Sequence, residues 1–252
     1  QACGIQDEFF IPQKKHHAQY HQGQQGKGVQ PHNVPLITQR PSAKAVKTAK
    51  QGKRNVILFE ELFQEVCSCK MMFLENGGVT FTGGEVSLQA ENVVKLCSLL
   101  KQEGISTCIE TNASLKQTQL LIPAVDYMIA DFKSPDGELL KTVTGADIEI
   151  IKENLISRVK LNKPLLIRIP LINGFNTGAE NAKKFAEFFC SLQKESSSQE
   201  IFIEILTYHE FGKDKYEKAN MTYTFSDGFV TAEQVNILKK ELQKHNLKII
   251  KT

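Results

Sequence analysis

Gly77-Gly-Val-Thr-Phe-Thr-Gly-Gly-Glu85 decides the fold of this 252-residue chain. Within it, Val79–Thr82 reads as a short strand, because β-branched and aromatic residues suit a pleated, covered surface. Gly83 and Gly84 end the strand where the backbone needs unusual dihedrals and where a ligand can approach the main chain closely. Glu85 follows, and its carboxylate can accept charge-assisted hydrogen bonds from a ligand ammonium group. It also suits the N-terminus of a following helix, whose dipole favours an acid. Both readings of Glu85 stand at this point.

Outward from this stretch the same unit repeats. Strands are predicted at Val79–Thr82, Ser106–Thr111, Tyr127–Phe132, Leu165–Leu171 and Ile201–Tyr208, with Leu247–Ile250 as a sixth. Helical patterns fall at Glu60–Phe73, Leu88–Glu103, Ile148–Val159, Glu180–Lys194 and Ala232–His245. Gly104 stands where a left-handed C-terminal cap belongs, and Thr231 with Gln234 fits a capping box. The strands are near-continuous apolar runs, as expected of parallel strands covered by helices. The reading is α/β: an incomplete (β/α) barrel of five to six parallel strands over residues 55–252, too few for eight-fold closure.

Polar side chains recur where these strands end. Glu85 follows the first, Glu110 lies in the second, and Asp131 with Lys133 closes the third. Arg168 lies inside the fourth, and His209 follows the fifth. In a parallel barrel the C-terminal strand ends form one rim, which carries the active site. The plainer reading is that charges mark where strands reach water. Asp131 and Lys133 are two apart, so they point to the same side.

The Gly83-Gly84-Glu85 turn resembles the Gly-Gly-Glu motif of radical S-adenosylmethionine enzymes. Glu110-Thr111-Asn112 resembles that family's acidic strand end. Asp126-Tyr-Met-Ile-Ala-Asp131-Phe132-Lys133 is similar to a strand of pyruvate formate-lyase activating enzymes. Ile167-Arg168 with Asn173-Gly-Phe-Asn176, and Ile203–Lys213, are similar to two further signatures. The likeness runs in order from about Val56 to the end. It implies a radical SAM-type partial barrel that generates a glycyl radical on a partner enzyme, such as pyruvate formate-lyase, by reductive cleavage of S-adenosylmethionine. A flavodoxin- or ferredoxin-type protein would be the reductant. The resemblance also implies roles. Gly83, Gly84 and Glu85 hold the cofactor's amino group; Asp131, Phe132, Lys133, Arg168 and His209 are further cofactor contacts. Glu110 and Asp131 match two acids that help hold a monovalent cation, and oxygen ligands suit a hard cation. The alternative for that acid pair is a salt bridge to Lys133 or Arg168.

The family's chemistry uses a C-x-x-x-C-x-x-C loop that carries a 4Fe–4S cluster, and no such spacing occurs here. Before Cys67 the only cysteine is Cys3, and one thiolate does not hold a cluster. Cys67 and Cys69 fall in a helical run and read as packing residues. No catalytic residue is therefore identified. Three smaller departures are Val86 where the family has Pro, Ala113 where it has Gly, and Thr207 where Pro is common. A second reading is thus a non-catalytic remnant that binds cofactor or partner. A third is an unrelated barrel enzyme with Lys133 as a Schiff-base amine.

Residues 1–54 differ in character. They hold ten Gln and four His, and nine Lys and Arg against two acids, a net +7; the remainder is −4. With little apolar periodicity, this segment is expected to be disordered or non-native: a natural tail, a tag or a frameshifted stretch. Its His16, His17 and His21 read as part of a flexible tail rather than a metal site. Nothing there suggests nucleic-acid binding. No apolar run approaches a membrane span, and the cysteine spacings suggest no disulfide framework, so the expected compartment is the cytoplasm.

Overall fold

Six apolar runs become six parallel strands that pair strictly in chain order: β1 (Gly78–Phe81), β2 (Ser106–Thr111), β3 (Tyr127–Asp131), β4 (Leu165–Leu171), β5 (Ile201–Thr207) and β6 (Lys248–Ile250). The computed structural model describes residues 59–73, 77–197, 201–210 and 227–250. The expectations placed on residues 1–54, the histidine cluster included, lie outside the described residues, as do Phe211–Lys213 of the last motif.

Seven α-helices accompany the strands among the described residues: α1 (Phe59–Ser68), α2 (Ala90–Gln102), α3 (Thr118–Ala124), α4 (Gly137–Thr144), α5 (Ile148–Lys160), α6 (Ala179–Glu195) and α7 (Ala232–Lys244). They form one outer layer, each packed on the next in order except that α5 follows α3 directly. The sheet stays open, as the strand count implied. No described helix is long and apolar enough to cross a membrane.

Most expected boundaries hold to within a residue or two, and the differences have local causes. The first helical run stops at Ser68 and tightens into a 3₁₀ turn at Lys70–Met72. The next begins as a 3₁₀ turn at Val86–Gln89, because Glu85 accepts from the Ser87 N–H and caps it. Helices α3 and α4 occupy stretches that the sequence pattern leaves as connections. Asp136 opens α4 by accepting from Leu139 N, and Gly145 at φ +75° ends it. Gly104 has φ +69°, as its place after α2 requires, and the Thr231–Gln234 capping box forms.

The core lies between the sheet and the helices. Ile109, Met128, Ala130, Ile167 and Ile203 from the strands meet Leu100, Leu121, Leu155, Phe185 and Phe189 from the helices. Burying each large side chain contributes about 1.5–3 kcal/mol. Under this layer Arg158, near the end of α5, is fully buried with no carboxylate bonded to it. Its guanidinium makes five hydrogen bonds, all to backbone carbonyls: Ile122 (2.8 Å), Val125 (3.1 Å), Asp126 (2.6 Å) and Pro164 (3.1 and 2.9 Å). One side chain thus ties the end of α3 to the segments entering β3 and β4. Burial pulls its pKa down to about 10, which leaves it charged at neutral pH.

Arg158→Ala removes the guanidinium donor from the carbonyls of Ile122, Asp126 and Pro164, whereas Val125 keeps Lys163 at 3.0 Å, at about 1–3 kcal/mol for each group left unsatisfied. The expected loss is at least about 3 kcal/mol, read as a lower urea midpoint, and Arg158→Lys restores only part of it. An Ala variant within about 0.5 kcal/mol of wild type contradicts this role.

Candidate functional site

Laterally paired residues in a parallel sheet share a face, so the register sorts the side chains. The helix-facing set is apolar apart from Thr107 and Thr111 on β2. The opposite, inner face carries charge: Glu110 on β2, Asp131 on β3, Arg168 on β4 and Glu204 on β5, with Asp131 paired to Arg168 and Arg168 to Glu204. Arg168 binds two of these acids. Its Nη1 donates to Glu110 at 2.9 Å and its Nε to Glu204 at 2.9 Å. The other Glu110 oxygen accepts from Thr82 Oγ1 at 2.8 Å. Burial works against the Arg168 charge, but Glu110 and Glu204 outweigh it and raise the pKa.

Asp131 sits beside this network and takes no direct hydrogen bond among the described residues. Burial pushes its pKa up to about 6, against the pull of Lys133 and Arg168, with Glu110 and Glu85 adding to the rise. Of the two readings of the Glu110/Asp131 pair, Glu110 thus has salt-bridge geometry, with Arg168 as partner. No group of three His, Cys, Asp or Glu side chains among the described residues is placed to hold a metal ion.

Glu85 is 6% exposed and joins two strand ends. It accepts from Ser87 N (3.1 Å), from Ser87 Oγ, from Thr111 Oγ1 and from Asn112 N (2.9 Å). Three of these bonds fall on Oε1 and one on Oε2, so Oε2 keeps acceptor capacity for a ligand donor. Both readings of Glu85, helix cap and ligand acceptor, are compatible with this geometry. Gly83 (φ +94°) and Gly84 (φ +52°) are exposed, and a Cβ at either would meet nothing within 4 Å. Their backbone therefore borders open space at the end of β1.

The loop after β2 is fixed from both sides. Thr111 Oγ1 accepts from Ala113 N, and Asn154 donates to the carbonyls of Ala113 and Leu115. Ala113 is held at φ +54°, where glycine is the unstrained residue. Asn176 does the same between β3 and β4, donating to Lys133 O and Pro170 O at 2.7 Å each. Lys133 is buried beside Asp131. His209 follows β5 at the same C-terminal edge, half-buried, and burial lowers its pKa.

Phe132 does not join the others. Its ring is fully buried in the helix-side core, against Phe188 (centroids 4.8 Å apart), Phe189 and Phe185. Its neighbours Asp131 and Lys133 face inward, so alternation along the chain turns Phe132 outward. Its side chain thus lies on the opposite face from Asp131 and Arg168.

The charge balance and the open glycine backbone fit a cationic amino-acid cofactor. They do not fit an iron–sulfur cluster, which needs thiolates together. Cys97 and Cys108 are buried, and burial pushes their thiols up to about 11 and about 12. Cys67 and Cys69 pack partly against the core, as expected, and so does Cys190.

A family model for the radical SAM superfamily matches residues 39–186. The chain belongs to the radical SAM superfamily. The match begins inside the 1–54 segment, ahead of the point near Val56 where the motifs start. Among relatives, the (2S)-3-sulfopropanediol dehydratase activating enzyme of Klebsiella oxytoca is 30% identical over 74% of this chain and 56% of its own length. The pyruvate formate-lyase-activating enzyme of Clostridium pasteurianum is 28% identical over 76% of each. A crystal structure of a domain of pyruvate-formate lyase-activating enzyme from Bacteroides vulgatus covers 69% of this chain and 98% of that domain, at 27% identity and TM-score 0.55. The chain thus spans just over half the length of the Klebsiella relative. Membership of the radical SAM superfamily removes the unrelated Schiff-base barrel as a reading of Lys133.

One residue of this inner face escapes the sequence pattern. Glu204 had a signal, an acid inside an otherwise apolar strand at a position facing away from Ile203 and Ile205.

The raised Asp131 pKa has a consequence for stability. Below about pH 4 the carboxyl is protonated whether the chain is folded or not. Between there and about pH 6 the unfolded chain ionises first, so the folded state loses stability as pH rises. Asp131→Asn removes this loss, and its stability relative to wild type should grow by about 2 kcal/mol between pH 4 and pH 7. Urea unfolding at the two pH values checks it; a constant difference contradicts the assigned environment.

Proposed function

We propose that the inner face of the sheet binds S-adenosylmethionine and that the protein belongs to the machinery that activates a glycyl radical enzyme. The observation that carries this is the charge on that face: three carboxylates, Glu110, Asp131 and Glu204, against Arg168 and Lys133. An excess of acid on this partly covered face favours a ligand with a sulfonium and an ammonium group. Buried carboxylates are costly without compensating charge.

In this reading Glu85 Oε2 and the backbone at Gly83 and Gly84 receive the methionine ammonium. Lys133 and His209 supply donors to the carboxylate or ribose, and Asp131 lies beside them. Arg168, held by two acids, acts as a brace for the site rather than as a carboxylate contact. S-adenosylmethionine supplies, on reductive cleavage, a 5′-deoxyadenosyl radical that abstracts hydrogen. The partner would be a glycyl radical enzyme, such as pyruvate formate-lyase or a dehydratase of the kind that the Klebsiella relative's name denotes, and the electron donor a flavodoxin- or ferredoxin-type protein.

The described residues do not supply ligands for the 4Fe–4S cluster, so no step is derived through it. The scattered cysteines of the described residues, two buried and three partly covered, support a second reading, in which the chain binds cofactor or partner without radical chemistry. Iron and sulfide measured after anaerobic reconstitution separate the two: stoichiometric cluster supports the activase, and none supports the binding-only form.

Calorimetric titration with S-adenosylmethionine tests the shared core of both. His209→Ala should weaken binding by about 1–3 kcal/mol with the thermal midpoint unchanged. Glu85→Ala should lower affinity and midpoint together, because it also unties β1 from the loop after β2. Undiminished affinity in both variants rejects the assignment.

A further inference from the structure

Two hydroxyls that belong to none of the sequence motifs stand behind Glu85. Ser87, in the 3₁₀ turn after it, and Thr118, the first residue of α3, are both fully buried. Their hydrogens can be placed by elimination. A carboxylate only accepts, so the single Ser87 Oγ hydrogen goes to Glu85 Oε1. Ser87 Oγ in turn accepts from Thr118 Oγ1, 3.1 Å away. The result is a one-way chain from Thr118 through Ser87 to Glu85. A second chain reaches the same oxygen from β2: Ala113 N donates to Thr111 Oγ1 at 2.9 Å, and Thr111 Oγ1 donates to Oε1. Each hydroxyl that touches Glu85 is thus held from behind, and bonds in such a chain polarise one another. Helix capping does not account for the first chain. The Ser87 N–H alone supplies the cap bond of the turn, and Thr118 lies inside α3 rather than at its cap.

We propose that Ser87 and Thr118 are positioning residues for Glu85, whose hydroxyl chain fixes Oε1 so that Oε2 is presented to the ammonium group of an amino-acid ligand before that ligand arrives. The inference rests on the reading of Glu85 as the ammonium acceptor. Three donors from the 3₁₀ turn and β2 occupy Oε1, so turning the carboxylate would break all of them. A glutamate free to turn loses that freedom on binding, whereas one already held does not. The chain therefore raises affinity by preorganisation, without either hydroxyl touching the ligand. It also makes α3, a helix of the outer layer, part of the site.

The test titrates the whole chain calorimetrically with S-adenosylmethionine and with 5′-methylthioadenosine, which keeps the adenosine and lacks the amino-acid portion. Thr118→Val removes the hydroxyl and keeps the branched shape. It should weaken S-adenosylmethionine by about three- to tenfold and leave 5′-methylthioadenosine unchanged. Thr118→Ser should restore wild-type affinity. Ser87→Ala should cost at least as much, and adding Thr118→Val to it should cost nothing more, because the chain is already cut. Equal losses for both ligands mark a merely structural threonine and overturn the proposal. So do additive losses in the double variant, or undiminished S-adenosylmethionine affinity in Thr118→Val. Crystal structures without ligand form the second arm, which also serves if a variant binds nothing. Wild type should hold Glu85 in one conformer and Ser87→Ala should release it into a second; one unchanged conformer in both overturns the proposal. Failure of the wild type to bind S-adenosylmethionine removes the cofactor reading instead, and the second arm still decides whether the chain positions Glu85.

Discussion

Arg168, held between Glu110 and Glu204, is the interaction on which the inner face of this sheet depends. The three residues lie on β2, β4 and β5, so one guanidinium fixes the relative placement of three strands on the side that helices do not cover. Two carboxylates for one cation leave the face acidic. Asp131, next in register, adds a third acid and answers with a pKa raised to about 6. Buried ion networks rarely add much net stability over apolar packing. Their cost is easier to understand where the leftover charge has a ligand to meet.

The rim is built by a second set of contacts, each joining adjacent strand ends. Glu85 ties β1 to the loop after β2, and Asn176 ties Lys133 to the end of β4. Asn154 reaches from α5 to hold the loop in which Ala113 sits at positive φ. At the opposite end of the sheet Arg158 collects four carbonyls around the entrances to β3 and β4. The same logic operates at both ends: polar groups freed where regular structure stops are satisfied by a few buried side chains.

The strands were legible because a parallel sheet under helices writes itself as apolar runs, and the five-motif order placed the radical SAM resemblance on them. Helices α3 and α4, of seven and eight residues, were not. They are too short for periodicity to register; α4 owes its ends to Asp136 and Gly145, and α3 its place to packing against α2 and α5. Gly83, Gly84, Glu85, Glu110, Asp131, Lys133, Arg168 and His209 were readable as a rim because parallel strands end on one side. Phe132 travels with Asp131 and Lys133 in sequence, whereas alternation sends its ring into the aromatic cluster with Phe188. The second partner of Arg168 was also hidden. Glu204 lies 36 residues away, and only the β4–β5 register brings the two together.

The central claim is that an acidic inner face selects a cationic cofactor. Its most direct test compares S-adenosylmethionine with S-adenosylhomocysteine, the neutral thioether that differs by one methyl group and the positive charge, by calorimetry at low and moderate salt. The account predicts tighter binding of the sulfonium, by about tenfold or more, with the preference reduced in Glu204→Gln. Equal affinity for the two ligands, or tighter binding of the thioether, contradicts it.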